Sequence, residues 1–295
     1  MKIDGTFIED TFAEAFRMRY ARLVVTAHDE RWVDAASREA TGYASSIISC
    51  DAEAGVERRL DATETPDGRP GVSLLFFGFS VDGLAEAVPG RTGQCLLTCA
   101  TTAVYDGLQS AETRVPLGKH VRFFGDGFQK SKVVADRRYW RVPVMDGEFL
   151  IEDTIGVEKG VAGGNIILQG VTLEAALDGA GRVVDALADV SGVITPFPGG
   201  VVRSGSKVGS RYKALRASTN HAFCPTLRGR VETELHDGAN AAYEIVVNGL
   251  DEPTVAAATA TAIRAACGDG IVSIGAGNYG GELGKFHFRL REVLG

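Results

Sequence analysis

The chain has 295 residues, of which 45% are hydrophobic and 23% charged, and this composition is typical of a globular protein with a buried core. It carries 31 Lys and Arg against 38 Asp and Glu residues, a net charge of -7, whereas nucleic acids and acidic membranes bind concentrated positive charge. We therefore expect neither as a partner. The start of the chain lacks the regions of a signal peptide, and no apolar run is long enough to cross a bilayer, so we expect a soluble, cytoplasmic protein.

The first half of the chain alternates strand-like and helix-like patterns. Taken in chain order, its apolar residues predict a strand at 21–26, a helix at 32–40, strands at 46–49 and 72–79, a helix at 84–88 and a strand at 95–98. Segments 121–124 and 139–143, with a turn at 125–127, predict an added β-hairpin after these elements.

The second half repeats the scheme without the hairpin. Glu9-Asp10-Thr11 recurs as Glu152-Asp153-Thr154, and the elements that follow are predicted at 165–168 (strand), 175–187 (helix), 192–195 (strand), 243–247 (strand), 255–266 (helix) and 271–274 (strand). Strand, helix, strand, occurring twice per half, is typical of a ferredoxin-like lobe. We therefore predict an α+β protein of two similar ferredoxin-like lobes, residues 1–150 with the hairpin and residues 151–295.

Cysteine and histidine spacing argues against disulfides and metals. An odd number of irregularly spaced cysteines is not a disulfide framework, so we expect reduced, mostly buried thiols at Cys50, Cys95, Cys99, Cys224 and Cys267. Cys50 has no evident histidine partner and is expected to be a buried thiol rather than a nucleophile. The five histidines lie in no metal-ligand spacing, and we predict no metal site.

The segment from Gly275 to Gly280 reads GxGxxG and directly follows a predicted strand. A dinucleotide site needs a helix and a further strand after this motif, with an acidic residue about 20 positions on. Only 15 residues follow Gly280, so the unit cannot be completed. We predict a tight glycine turn here, and no nicotinamide or flavin cofactor.

Two loops combine rigid or donor-rich chemistry. Residues 195–200 read Thr-Pro-Phe-Pro-Gly-Gly, which suits either a rigid wall carrying an aromatic ring or an ordinary turn. Residues 204–210 offer several donors and the cation of Lys207, which suits either an anionic group of a ligand or a solvated loop. The residues alone leave both alternatives open.

Glu244 lies in a predicted strand that is apolar on both faces, with Ala242 and Val246 on its own face. Removal from water raises the pKa of a carboxyl group and yields a neutral acid that can donate a hydrogen bond. The alternative is a glutamate neutralised by a structural arginine, which the residues alone favour.

Longer stretches of sequence resemble one enzyme family, the formylmethanofuran:tetrahydromethanopterin N-formyltransferases, along nearly the whole chain. The resemblance is carried by Ile8 to Phe16, Ala52 to Glu57, Glu64 to Val72, Gly93 to Thr98, Ala162 to Asn165, Thr195 to Gly200, Tyr243 to Glu252 and Ala276 to Gly281. These segments are long and ordered, and their composition is not generic.

This resemblance implies two ferredoxin-like lobes, a homotetramer built from dimers, and substrates bound near subunit contacts. It places the family's catalytic acid at Glu244 and so reverses the interpretation that the residues alone favour. As substrate-binding residues we expect Pro196, Phe197, Gly199, Gly200, Ser204 and Lys207, with Asn278 and Tyr279 across from them. In bacteria, members of the family are expected in a formyltransferase/hydrolase complex with an amidohydrolase-like partner.

The implied reaction moves a formyl group between a methanofuran-type amine carrier and N5 of tetrahydromethanopterin, in the one-carbon oxidation of formaldehyde to formate. The accepting amine attacks the formyl carbon directly, so the enzyme has to position two carriers and stabilise an oxyanion. The alternatives are a non-catalytic scaffold or small-molecule-binding subunit of a one-carbon enzyme complex, and a hydrolase that releases formate, against which the missing metal ligands argue.

Overall fold

The computed structural model describes all 295 residues, which form two compact units. The middle unit comprises residues 18–159, and the terminal unit comprises residues 1–17 and 160–295. In the terminal unit the first residues of the chain extend the sheet, and the predicted lobe boundary at residue 150 stays a prediction. Residues 7 and 8 pair in parallel with 273 and 274, and residues 12–15 pair with 286–289.

Seventeen strands and five α-helices build the two units. The strands are β1 Lys2–Ile3, β2 Thr6–Ile8, β3 Phe12–Thr26, β4 Glu53–Leu60, β5 Gly71–Gly78, β6 Ala103–Asp106, β7 Thr113–Pro116, β8 Lys130–Val134, β9 Arg137–Val144, β10 Gly147–Glu152, β11 Thr154–Gly170, β12 Val193–Ile194, β13 Lys207–Val208, β14 Ala217–Ser218, β15 Ala241–Gly249, β16 Ile271–Gly275 and β17 Phe286–Arg289. The helices are α1 Glu30–Thr41, α2 Val81–Arg91, α3 Gly118–Val121, α4 Leu173–Ala188 and α5 Glu252–Ala266.

In the middle unit, four antiparallel strands lie side by side in the order β4-β5-β3-β6. Beyond β6 the sheet continues with β10 in parallel and then with β9 and β8. Apolar residues of α1 and α2, such as Val33 and Leu84, form one buried cluster with strand residues such as Leu23 and Phe76. Burial of these side chains is the main stabilising contribution of the unit.

In the terminal unit, the strand order is β12-β15-β11-β16, again antiparallel. Here the sheet continues beyond β16 with β2 in parallel and then with β1. Helices α4 and α5 bury their apolar faces in one cluster with Ile245 and Val247 of β15. Because successive strand residues point to opposite faces, Glu244 lies on the face of β15 away from these helices.

The predicted elements of the second half are confirmed, whereas three predicted strands of the first half are wrong. Residues 46–49 form a turn before β4, residues 95–98 belong to a helical segment that continues α2, and residues 121–124 are helical. A short apolar run is compatible with a strand and with a buried helical turn, which explains all three errors. The hairpin exists, but its strands are β8 and β9.

Two further expectations concern cysteines and membranes. All five cysteines are free, as their spacing predicts, and all are partly buried. None of the helices combines the length and the apolar character needed to span a bilayer.

Candidate active site

Glu244 occupies the second strand from one edge of the terminal unit's sheet, where chain segments cover it. It lies opposite Ile167 of β11, and its backbone forms both hydrogen bonds of an antiparallel bridge with Val202, at 2.8 and 3.2 Å. Only 3% of the residue is exposed to solvent. The carboxyl group is therefore removed from water, as the strand pattern predicts.

Two neutral side chains bind the same oxygen of this carboxyl group. The Asn165 amide nitrogen Nδ2 and the Ser206 hydroxyl each donate to Glu244 Oε1 at 2.5 Å. The other oxygen, Oε2, is buried and has no hydrogen-bond partner. With Oε1 accepting two hydrogen bonds, the proton of the neutral acid belongs on Oε2, where it is free to be donated.

Burial dominates the electrostatics of Glu244. Desolvation raises the pKa of its carboxyl group, and the hydrogen bonds from Ser206 and Asn165 lower it without cancelling the effect of burial. Its side-chain partners are neutral, and no arginine or lysine forms an ion pair with it. The structure shows no arginine partner for Glu244 and so favours the neutral-acid interpretation, which stays a prediction.

A small pocket of about 40 Å³ borders Glu244. Besides Glu244, its lining includes Arg203, Ser204, Gly205, Asn220, Cys224 and Tyr243. Of these, only Ser204 was among the candidates from the sequence. Asn220 and Cys224 carry no motif, and only the folding of residues 203–224 against β15 brings them to the pocket.

Residues 203–224, which we call the strap, contain two of the predicted binding residues. Lys207 lies on β13, which pairs with β14, and its Nζ is 3.1 Å from Nδ1 of His221. No carboxylate forms an ion pair with this ammonium group, which is only partly buried. The Ser204 hydroxyl donates to the carbonyl of Gly205, and the Ser204 carbonyl accepts from the backbone N–H of Asn220.

A glycine-rich segment, residues 275–284, contacts Asn165 and Ser206, the two residues that donate to Glu244. The backbone N–H of Gly277 donates to Asn165 Oδ1 at 2.9 Å, and the Tyr279 hydroxyl donates to the Ser206 carbonyl at 3.1 Å. Asn278 uses its amide differently, since Nδ2 lies 3.2 Å from both Thr11 Oγ1 and the Phe12 carbonyl. Tyr279 thus contacts the strap, whereas Asn278 fixes the N-terminal segment.

The turn after β12 contains the remaining predicted residues. Gly199 and Gly200 have φ angles of 63° and 77°, and a Cβ on Gly200 would lie 2.6 Å from Val184 of α4. Only glycine fits there. Pro196 is buried and Phe197 partly buried. Gly200 thus packs against α4, none of the four residues lines the pocket beside Glu244, and their part in substrate binding stays a prediction.

Comparisons with known proteins decide the family. Residues 1–144 match the family described as formylmethanofuran-tetrahydromethanopterin formyltransferase, and residues 147–293 match that described as its proximal lobe. The chain belongs to this formyltransferase family. One member, the formylmethanofuran--tetrahydromethanopterin formyltransferase of Methylobacillus flagellatus, is 52% identical over the full length of both chains. The resemblance drawn from the sequence is confirmed.

Solved structures of family members agree with this fold. The formyltransferase from Methanosarcina barkeri is 48% identical with a TM-score of 0.94, covering 99% of this chain and 100% of the other. A chain of the formyltransferase/hydrolase complex from Methylorubrum extorquens, solved with methylofuran, is 45% identical with a TM-score of 0.95, covering 100% of this chain and 99% of that one.

Proposed function

We propose that this chain is an N-formyltransferase that moves a formyl group between a methanofuran-type amine carrier and N5 of tetrahydromethanopterin. Family membership over the full length supports the activity and both carriers. The observation that carries the mechanism is the buried Glu244 carboxyl group, whose Oε2 has no partner in the protein. An acid in this state is suited to donate a hydrogen bond to a group on a substrate.

The reaction needs no enzyme nucleophile. The nitrogen of the accepting carrier attacks the formyl carbon, a C–N bond forms, and the carbonyl oxygen becomes an oxyanion. Collapse of this intermediate breaks the C–N bond to the donor, while the proton lost by the attacking nitrogen ends on the departing one. Glu244 donates from Oε2 to the developing charge, and it can pass a proton between the two nitrogens. Holding both carriers together supplies a further share of the rate.

The state of Glu244 also argues against the scaffold alternative. A buried polar atom without a hydrogen bond costs free energy, and a scaffold would gain nothing in return. In an enzyme the same atom is available to a substrate. The cost of burial is then offset by transition-state stabilisation.

We assign Lys207 to an anionic group on a carrier, because its ammonium group has the His221 imidazole but no carboxylate beside it. Lys207→Ala is expected to raise KM for the carrier that bears this group by about tenfold, since a charge-assisted hydrogen bond contributes about 1.5 kcal/mol, and to leave kcat unchanged. Steady-state kinetics with each carrier varied in turn measures the effect. Lys213→Ala, which removes an exposed cation of the same strap, is the control, and an equal rise in KM there would contradict the assignment.

We further propose that the chain forms two duplicated ferredoxin-like lobes. Residues 1–150 form the first lobe with the added hairpin, and residues 151–295 form the second. The antiparallel orders β4-β5-β3-β6 and β12-β15-β11-β16 support it, because each is the order 2-3-1-4 of a β-α-β-β-α-β unit. Glu9-Asp10-Thr11 lies directly before β3, and Glu152-Asp153-Thr154 ends at the first residue of β11. The duplication therefore accounts for the two long strands β3 and β11.

For the assembly, we propose a cytoplasmic homo-oligomer, a tetramer built from dimers, that associates with an amidohydrolase-like subunit in one-carbon metabolism. The relative from Methylorubrum extorquens belongs to a formyltransferase/hydrolase complex, which supports a hydrolase partner. In that arrangement this chain forms the formylated carrier, and the partner releases formate from it.

The decisive experiment uses the purified chain without added metal. Formyltetrahydromethanopterin and a furan-type amine carrier are mixed with it, and mass spectrometry follows the N-formylated carrier and free formate. Formylated carrier without formate is the expected result. If both carriers bind and no formylated carrier forms, the scaffold alternative holds, and if formate forms without formylated carrier, the hydrolase alternative holds.

A further inference from the structure

The glycine-rich segment, residues 275–284, binds an anion, and that anion is the carboxylate of the protein's own Glu14. This residue lies on β3 and is 1% exposed. Its Oε2 accepts from the backbone N–H groups of Tyr279 at 2.6 Å and Gly281 at 3.0 Å. Its Oε1 accepts from those of Leu283 at 2.7 Å and Gly284.

These four donors keep Glu14 ionised. Burial by itself raises the pKa of the carboxyl group, but the four backbone hydrogen bonds together hold it below its usual value. Successive backbone N–H groups that converge on one point form a concave anion site. Gly280 and Gly281, with φ angles of 72° and 78°, allow the chain to curl around the carboxylate. Glu14 therefore determines the shape of this segment.

Both hydrogen-bond donors of Glu244 depend on the segment that Glu14 holds. Asn165 receives the N–H of Gly277 on Oδ1, which orients its amide so that Nδ2 points at Glu244. Ser206 is linked to the segment through Tyr279, because the Tyr279 hydroxyl donates to the Ser206 carbonyl. Two separate routes thus lead from the Glu14-bound segment to Glu244 Oε1.

We propose that Glu14 is a positioning residue for the catalytic acid. By holding residues 277–284, it orients Asn165 and Ser206 and so directs the acid proton of Glu244 to Oε2, toward the substrate. This proposal rests on the proposed function for its catalytic consequence. The arrangement of Glu244 and its donors can be measured without turnover.

The fold itself does not require a carboxylate at this place. In the repeat that begins Glu152-Asp153-Thr154, the residue that corresponds to Glu14 is Val157, which is 1% exposed. An apolar side chain thus fills the corresponding position of the other repeat. The carboxylate is specific to the unit that contains Glu244.

Other titratable groups face these two carboxyl groups and have to be considered in a pH profile. Tyr279 lies near both carboxyl groups, and burial raises the pKa of its phenol. His287 on β17 is the cross-strand partner of Glu14. Cys224 and Arg203 line the pocket beside Glu244. A change in the pH profile of kcat alone could come from any of these groups. The titration of the Glu244 carboxyl group is therefore observed directly.

Glu14→Gln tests the proposal, because an NH₂ group then faces backbone N–H donors. If Asn165 and Ser206 no longer donate to Glu244 Oε1, the ionised form of Glu244 is less stabilised. Infrared titration should then place the pKa of the Glu244 carboxyl group higher than in the wild type. The fall of kcat at high pH should move to higher pH in parallel. At neutral pH, kcat should drop about tenfold with KM unchanged, as expected for a small misplacement of a catalytic group. Hydrogen exchange should accelerate at Tyr279, Gly281, Leu283 and Gly284.

Three variants control this experiment. Glu282→Gln alters an exposed carboxylate of the same segment and should change neither pH profile nor exchange. Ile263→Val loosens the core of the same unit and should lower stability without moving the titration of Glu244. Glu14→Asp keeps the charge on a side chain one methylene shorter, so it should shift the titration of Glu244 in the same direction by a smaller amount, and it replaces Glu14→Gln in every measurement if the amide variant does not fold.

The two proposals fail in different ways. An unchanged infrared titration of Glu244 in folded Glu14→Gln, or the same shift in Ile263→Val, overturns the role of Glu14. A wild-type protein that does not transfer the formyl group overturns the proposed function, and the infrared and exchange data still decide whether Glu14 sets the arrangement at Glu244.

Discussion

Replacing Glu244 by glutamine is expected to lower kcat for formyl transfer by about 10²-fold while leaving the fold intact, the loss typical of removing a positioned general acid–base group. The amide keeps an oxygen that can accept from Asn165 and Ser206. It replaces the free acid proton with an NH₂ group that cannot pass a proton between the two carriers. Single-turnover measurement of the N-formylated product separates this chemical step from carrier binding.

The matched control is Glu232→Gln, which changes an exposed glutamate of the same unit and should retain wild-type kcat. Circular dichroism and the affinities for both carriers establish that the Glu244→Gln site is still assembled. Turnover close to that of the wild type in this variant would remove Glu244 from the mechanism.

Glu244→Gln is also expected to change how stability depends on pH. Because burial raises the pKa of Glu244 above its ordinary 4.5, the folded protein binds a proton there that the unfolded chain releases. The wild type therefore loses stability as pH rises from about 4.5 toward the folded-state pKa, and below that range the contribution is fully present. Glutamine does not titrate. The unfolding free energy of the variant relative to the wild type should increase across this window in urea titrations, and parallel curves would contradict a raised pKa.

Much of this site could be predicted from the sequence, but its polar partners could not. Glu244 stands out because a charged residue interrupts a strand that is apolar on both faces. Asn165 and Ser206 lie 79 and 38 positions away, and nothing in their own segments marks them as donors to a carboxyl group. Glu14 is part of a predicted family segment, yet its role follows only from the fold that brings residues 279–284 to it. A local sequence pattern thus predicts whether a residue is buried. Which polar groups contact each other depends on contacts between residues far apart in the sequence.

The same limit applies to the fold. Strand prediction succeeds for β11 and β15 because their apolar runs are long and end at the helix caps Thr172 and Asp251. It fails at residues 95–98, where a run of the same kind continues α2 into a wider helical turn, with the N–H of Leu97 bonded to the carbonyl of Thr92. Packing of Leu96 in the core, rather than its local preference, decides that conformation.

Each of the two proposed repeats contains a buried glutamate, and the two glutamates differ in their hydrogen-bond partners. When the two repeats are aligned on their strand ends and helix caps, Arg22 corresponds to Asn165 and Ser73 corresponds to Glu244. The strand register agrees with this alignment, because Arg22 lies opposite Leu75 and Asn165 lies opposite the corresponding residue, Val246. In the middle unit these positions bind Glu57 of β4. The Arg22 guanidinium donates to both of its oxygens at 2.6 and 2.7 Å, and the Ser73 hydroxyl donates at 2.6 Å. This carboxylate is structural, whereas Glu244 is left for chemistry.

Arg22→Ala is therefore expected to destabilise the protein by about 3 kcal/mol, because it leaves the Glu57 carboxylate buried without an opposite charge and with only the Ser73 hydroxyl as a donor. The Glu57 side chain is only 3% exposed, so water cannot replace the guanidinium without opening the sheet. Urea unfolding at neutral pH measures the loss. Once folded, the variant should keep the kcat of the wild type, because the pair lies outside the unit that contains Glu244.

The double variant Arg22→Met with Glu57→Gln separates charge from packing. It removes both charges at similar volume and should recover most of the lost stability, since replacing a buried ion pair by uncharged groups costs little whereas breaking it costs much. If Arg22→Ala lowers the unfolding free energy by less than about 1 kcal/mol, the range of an exposed ion pair, then Glu57 is hydrated in the folded protein. In that case Glu57 and Glu244 would differ in how polar their surroundings are, and not in whether an ion pair stabilises the carboxylate.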